Sequence, residues 1–204
     1  MATAENFYTI NALFYLSACS LLLVWVMTTT LGRLCKPTWL KIMVVVLTFL
    51  SSFIPVQGLL INEYIYGFLG NLSIPTVMLF VVHSASIIHG KHLSLAEKGT
   101  AFQLIFWTGC FLFPFTLGID IYDPYALGYN PLGLGIALLI AVMFSWLLEN
   151  YVIMAAILLS ITFYTLNISE SRNLWDYIID PLIFIFAIFW LLYRVLFIRV
   201  EKQS

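Results

Sequence analysis

Seven long apolar stretches follow one another along this chain of 204 residues and leave few folds open to it. A helix that crosses the hydrocarbon core of a bilayer, about 30 Å thick, needs about 20 apolar residues. Only 9% of the residues are charged, whereas a soluble domain carries about 25%. The sequence therefore predicts an all-α integral membrane protein, a polytopic bundle of seven transmembrane helices in a single domain, 1–204. The predicted spans are 10–31, 42–61, 65–88, 100–119, 132–148, 150–167 and 180–199.

The basic residues predict the orientation of these spans. With the N-terminus outside, Arg172 is the single basic residue on the outer side. The inner side then receives Arg33, Lys36, Lys41, Lys91, Lys98, Arg194, Arg199 and Lys202. An excess of Lys and Arg in short loops marks the cytoplasmic side. We therefore expect a multi-pass protein of a plasma or bacterial inner membrane, with its N-terminus outside and its C-terminus in the cytoplasm.

Composition also excludes several classes of function. Nine Lys and Arg against ten Asp and Glu leave no basic surface for phosphates, so we expect no nucleic acid partner. The three cysteines are widely spaced and the three histidines all lie between 83 and 92, so no metal or cofactor is predicted. No Asp, Glu or Lys lies near the centre of a span, which argues against an ion-coupled pump.

Small residues recur every fourth position along the fifth span, at Gly133, Ala137, Ala141 and Ser145. In a bilayer, small side chains let two helices approach closely, and the resulting van der Waals contact favours association. The sixth span has small residues at the same spacing. We therefore predict that these four residues form a helix-packing face.

The segments that this topology places outside are rich in acidic and aromatic residues. The candidate residues for ligand or partner binding are Glu63, Tyr64, Asp120, Tyr122, Asp123, Tyr125, Tyr129, Trp175, Asp176 and Asp180. Asp120 and Asp123 are close enough in sequence to share a cation or to bind sugar hydroxyls beside tyrosines. The simpler alternative is an aromatic belt, since Trp and Tyr collect at both membrane interfaces.

Three functions remain open. No nucleophile–base pair, metal-ligand set, phosphate loop or intramembrane charge relay can be assembled from the sequence, so we expect a non-catalytic protein. It would be an accessory or binding subunit whose outer face contacts membrane lipids, a membrane protein or a small ligand. A small-solute transporter or channel is the first alternative. The second is an enzyme acting on a lipid-linked or sugar substrate at the outer leaflet, which requires the carboxylates to converge on one pocket.

Asp180 precedes Pro181 at the start of the seventh span. Asp is a good N-cap, and Pro is favoured at the first helical position. In that role alone, Asp180→Asn keeps most of the stability, because Asn caps a helix about as well as Asp.

Overall fold

The computed structural model describes residues 2–90, 95–117 and 123–197, with side chains described over 10–90, 99–117 and 123–196. This part of the chain is mostly helical, in agreement with the predicted all-α class. Its helices are α1 (Ala2–Met27), α2 (Thr38–Ser51), α3 (Ile61–Leu69), α4 (Ile74–His89), α5 (Leu95–Thr116), α6 (Leu132–Leu147), α7 (Tyr151–Thr165), α8 (Trp175–Ile178) and α9 (Pro181–Phe197). A π-helical turn, Thr28–Gly32, extends α1, and a 3₁₀ turn, Pro124–Gly128, precedes α6.

The prediction of one continuous helix over 42–61 is wrong. Helix α2 ends at Ser51, and a short antiparallel hairpin follows, formed by β1 (Pro55–Val56) and β2 (Leu59–Leu60). The turn residue Gln57 has a φ of 51°, a left-handed conformation that a helix does not contain. Hydropathy missed this break because the hairpin is almost as apolar as the helix before it.

The predicted span 65–88 is also divided. Helix α3 ends at Gly70, whose φ of 70° suits glycine because it has no Cβ. Helix α4 begins four residues later, with Pro75 in its first turn, where the missing N–H costs nothing. The remaining predicted spans each correspond to one helix, with ends shifted by a few residues.

Among the described residues, one helix, Ile10–Gly32, is long and apolar enough to cross a membrane by length and composition. Other helices are apolar but shorter, namely Thr38–Ser51, Ile74–His89, Leu132–Leu147, Tyr151–Thr165 and Pro181–Leu196. At a rise of 1.5 Å per residue, 16 residues such as those of α6 extend about 24 Å, somewhat less than a hydrocarbon core of about 30 Å.

The helices pack in two groups that share α4. Helix α1 packs against α2, α3 and α4, while α5 packs against α9 and α6 against α7. Helices α5 and α9 approach closely at Gly109, where a Cβ would lie 2.2 Å from the Phe184 ring. The larger buried cluster consists of Leu112, Leu134, Leu174, Trp175, Ile179 and Ile183.

The row of small residues on α6 faces the protein over only half of its length. Ser145 is buried and Ala141 half-buried, whereas Gly133 and Ala137 are exposed. A Cβ added at Gly133 would meet nothing within 4 Å. Residues four apart are rotated by about 40° around a helix with 3.6 residues per turn. Over twelve residues the row therefore winds around α6, from the buried Ser145 to the exposed Gly133 and Ala137.

Charged side chains are largely separated between the two ends of the bundle, with Arg172 and Glu149 as the exceptions among the described residues. We call the end with the hairpin, α3, the 3₁₀ turn and α8 the acidic end; its described carboxylates are Glu63, Asp123, Glu170, Asp176 and Asp180. The described cations of the opposite, basic end are Arg33, Lys36, Lys41 and Arg194. There Lys41 Nζ donates to the carbonyl oxygen of Ile87 at 2.8 Å, where a cation complements the C-terminal end of α4.

Candidate functional site

Three of the predicted carboxylates line one cleft at the acidic end. This acidic cleft has a volume of about 500 Å³, and Asp123, Asp176 and Asp180 lie on its wall together with Tyr125 and Asn71. Apolar side chains from α5 complete it, and its described lining contains no Lys, Arg or His. The cleft therefore brings together carboxylates from two segments about 50 residues apart in sequence.

Asp180 joins the N-terminal ends of two helices. Its Oδ1 accepts the Ile183 backbone N–H at 2.9 Å, which is the N-cap interaction expected for α9. Its Oδ2 accepts the backbone N–H of Ser73 at 2.7 Å and the hydroxyl of Thr76 at 2.5 Å, both at the start of α4. The side chain is 5% exposed. Two positive helix ends thus stabilise one buried carboxylate.

Asp176 holds the 3₁₀ turn against α8. The Tyr125 hydroxyl donates to both carboxylate oxygens, at 2.8 and 3.0 Å, and the Ser171 hydroxyl donates to Oδ2 at 2.5 Å. Burial, followed by the hydrogen bond to Asp176, raises the pKa of Tyr125 well above its usual value. Tyr125 therefore stays protonated and acts as a donor to Asp176 at physiological pH.

Buried Asn173 also connects the 3₁₀ turn to the start of α8. Asn173 donates from Nδ2 to the Tyr125 carbonyl at 2.9 Å and accepts the Trp175 N–H on Oδ1 at 2.9 Å. Leu174 N–H donates to the Gly128 carbonyl at 3.0 Å. At Gly128 the approach is so close that a Cβ would lie 1.7 Å from Asn173 Oδ1. This junction positions Asp123, Tyr125 and Asp176 in the cleft wall.

Asp123 and Asn71 have polar atoms that protein contacts leave available. Asp123 is exposed and caps the 3₁₀ turn, its Oδ1 accepting the Tyr125 backbone N–H at 2.9 Å. Asn71 Oδ1 is buried and has no hydrogen-bond partner among the described residues. A buried acceptor without a partner is unfavourable, so this oxygen remains open to a donor beyond the described residues.

Four other predicted site residues lie near the cleft wall or outside the described residues. Trp175 is buried and donates from Nε1 to the Pro124 carbonyl at 3.0 Å, so it supports the cleft from within. Tyr129 is 62% exposed and stands edge-on to Tyr125. Asp120 and Tyr122 lie outside the described residues.

The remaining two candidates belong to the hairpin and α3. Glu63 accepts the Leu60 backbone N–H at 2.6 Å and thereby caps α3. The Tyr64 hydroxyl donates to the Val56 carbonyl at 2.9 Å. Neither residue lines the acidic cleft, and both stabilise the local hairpin–helix geometry.

A second, larger cavity lies between α4, α5, α6 and α7. This apolar chamber has a volume of about 800 Å³, and its lining includes Met78, Ile105, Leu138, Ala141, Ile153 and Ala156. The hydroxyls of Ser145 and Ser160, which also line it, donate to the carbonyl oxygens four residues earlier. Ile179 lines both the chamber and the acidic cleft, so the two cavities share a wall.

Sequence reasoning missed Asn173, Gly128 and the chamber. Asn173 lies in a polar stretch between two spans, which is a detectable signal, but its partners are distant in sequence. The chamber depends on how four helices pack together, and an apolar residue that lines a cavity has the same local pattern as one that fills a core.

Among the described residues, no three His, Cys, Asp or Glu side chains are placed to hold a metal ion. Comparison with known proteins gives no match, whether to a protein-family model, a curated protein or a solved structure. The functional assignment therefore depends on the geometry of the cleft and the chamber.

Proposed function

We propose that this chain is a multi-pass membrane protein that binds an amphiphile, with the polar head in the acidic cleft and a hydrocarbon chain in the apolar chamber. The observation that carries the proposal is that Ile179 borders both cavities, so an acidic cavity and an apolar one lie side by side. A ligand that fills both needs a polar and an apolar part. The protein would be a binding or accessory subunit without catalytic activity.

Exposed apolar side chains support the placement in a bilayer. Leu47, Ile140 and Phe189, on three different helices, are 54%, 48% and 65% exposed. They belong to a large set of exposed apolar side chains along α2, α6 and α9, and soluble proteins rarely expose so much apolar surface. Helices α1, α2, α4, α5, α6, α7 and α9 would be the seven spans, with the acidic end outside. A slightly thinned bilayer accommodates spans of this length at modest cost.

The size and lining of the chamber support a hydrocarbon occupant. Its volume of about 800 Å³ is typical of ligand sites, which range over about 300–1,000 Å³. Protein interiors contain few voids larger than a water molecule. The lining is mostly apolar, and the hydroxyls of Ser145 and Ser160 already donate within their own helices, so a hydrocarbon chain is a better filling than water. The same lining makes a hydrated path for a small solute less favourable.

The orientation predicts where thiols react. In sealed right-side-out vesicles, a cysteine at the exposed position Arg172 should react with a membrane-impermeant maleimide without permeabilisation. The native Cys35, at the basic end, should react only after the membrane is opened. Labelling of Cys35 in intact vesicles, or of both residues on the same side, would contradict the proposed topology.

Filling the chamber should displace the bound chain. We expect Ala141→Phe to weaken lipid binding about tenfold, because overpacking a cavity of fixed shape costs about 1–3 kcal/mol. Ala137→Phe is the matched control, since Ala137 lies one turn away on the same helix and faces outward. Bound lipid is counted by native mass spectrometry of protein extracted in mild detergent. Equal lipid occupancy in the two variants would refute the proposal.

A second candidate function is an enzyme that hydrolyses a lipid-linked substrate or transfers a group from it. The presence of Asp123, Asp176 and Asp180 in one cleft favours this function. Paired carboxylates can act as general acid and base when both reach one substrate. Turnover of a lipid-linked sugar by the purified protein, abolished in Asp123→Asn, would favour this enzyme over a binding subunit.

A further inference from the structure

The head group, and not the chain, must provide the selectivity of the proposed site. Lipid tails are as apolar as the chamber, so a chain that moves from bilayer to chamber gains little from the hydrophobic effect. Every membrane lipid offers a similar chain. Discrimination between lipids therefore depends on the polar contacts available in the acidic cleft.

The hydroxyl groups described in the cleft already donate their protons to acceptors within the protein. Tyr125 donates its proton to Asp176, and Thr116 Oγ1 donates to the Phe113 carbonyl at 2.8 Å. A hydroxyl has one proton and two lone pairs, so both groups offer a ligand only acceptor sites.

Asn71 also has an Nδ2 amide donor, and the other polar groups described in the cleft accept. Asn71 Oδ1 is buried without a partner, and Asp123 uses Oδ1 for its own turn while the side chain remains exposed. Three carboxylates and no described Lys, Arg or His line the cleft. Apart from the Asn71 amide, an anionic head would meet acceptors and like charge, whereas a cationic donor would meet three complementary carboxylates.

Resting on the proposed function, we infer that the ligand is a lipid whose head group bears a primary ammonium. Three N–H groups match the acceptors Asn71 Oδ1, Asp123 and Asp176, and the positive charge complements the carboxylates. A quaternary ammonium carries charge but no N–H, and so leaves the Asn71 oxygen without a donor.

The test compares four lipids with identical acyl chains on the full chain in mild detergent: phosphatidylethanolamine, phosphatidylcholine, phosphatidylglycerol and a neutral diglucosyl diacylglycerol. We expect phosphatidylethanolamine to bind about tenfold more tightly than phosphatidylcholine, with phosphatidylglycerol weakest. The preference should fall at high salt, because the ammonium–carboxylate attraction is screened near water. Equal binding of the ethanolamine and choline lipids, or preference for either of the other two, would overturn the inference.

Variants separate the head-group inference from the proposed function. Asp123→Asn keeps the cap, and should reduce the ethanolamine preference about three- to fivefold. Glu170→Gln is the matched control, because it removes a charge at the same end outside the cleft. An unchanged preference in Asp123→Asn contradicts the inference. If all four lipids bind equally and Ala141→Phe weakens all of them, the inference fails while the proposed function stands. If Ala141→Phe weakens none, the proposed function itself fails.

Discussion

Gly128→Ala should lower the melting temperature of the detergent-solubilised protein by about 6–12 °C, corresponding to a loss of about 3 kcal/mol. A Cβ at this position would lie 1.7 Å from Asn173 Oδ1 and 2.9 Å from the Trp175 ring. Asn173 is fully buried and hydrogen-bonded to two segments, so it cannot move aside without leaving buried polar groups without partners.

Two further variants make this prediction specific. Gly133→Ala is the matched control, since a Cβ there meets nothing within 4 Å, and it should melt like the parent. In an Asn173→Ala background, Gly128→Ala should lower the melting temperature much less than it does in the parent, because most of the clash with the Asn173 side chain has been removed. Full additivity of the two substitutions would show that Gly128 and Asn173 are not coupled.

Asp180→Asn should destabilise the protein by about 2–4 kcal/mol, measured as the shift in melting temperature or denaturant midpoint. This differs from the expectation based on the N-cap alone. In the structure, both carboxylate oxygens accept, Oδ1 from α9 and Oδ2 from Ser73 and Thr76 of α4. In asparagine, an –NH₂ group replaces one of these two oxygens. Whichever way the amide is turned, this –NH₂ lies opposite a backbone N–H, either that of Ile183 or that of Ser73, and two donors cannot hydrogen-bond to each other.

Asp123→Asn is the matched control for Asp180→Asn. Asp123 is exposed and accepts one backbone N–H of its own turn, so an asparagine should cap it with almost no loss of stability. If Asp180→Asn melts like the parent, Asp180 acts only as the cap of α9, and its link to α4 contributes nothing. A large loss for Asp180→Asn beside a small one for Asp123→Asn would establish the link between the two helices.

Several features follow from local sequence because their causes are local. Helix α7 ends within about two residues of the predicted span, since a long apolar run favours a helix and a polar residue at each end stops it. The Asp180–Pro181 pair begins α9 as expected, because an N-cap bond joins groups three residues apart. The separation of acidic and basic residues is also evident from spacing alone.

Other features depend on groups far apart in the chain, and local patterns contain no information about them. Asp180 reaches Ser73 across 107 residues, and Asp176 reaches Tyr125 across 51. The break of 42–61 into helix and hairpin, and of 65–88 into α3 and α4, depends on backbone conformations at Gln57 and Gly70 that hydropathy does not detect. The apolar chamber is lined by residues of four helices, and how these helices pack together is a property of the bundle and not of any one segment.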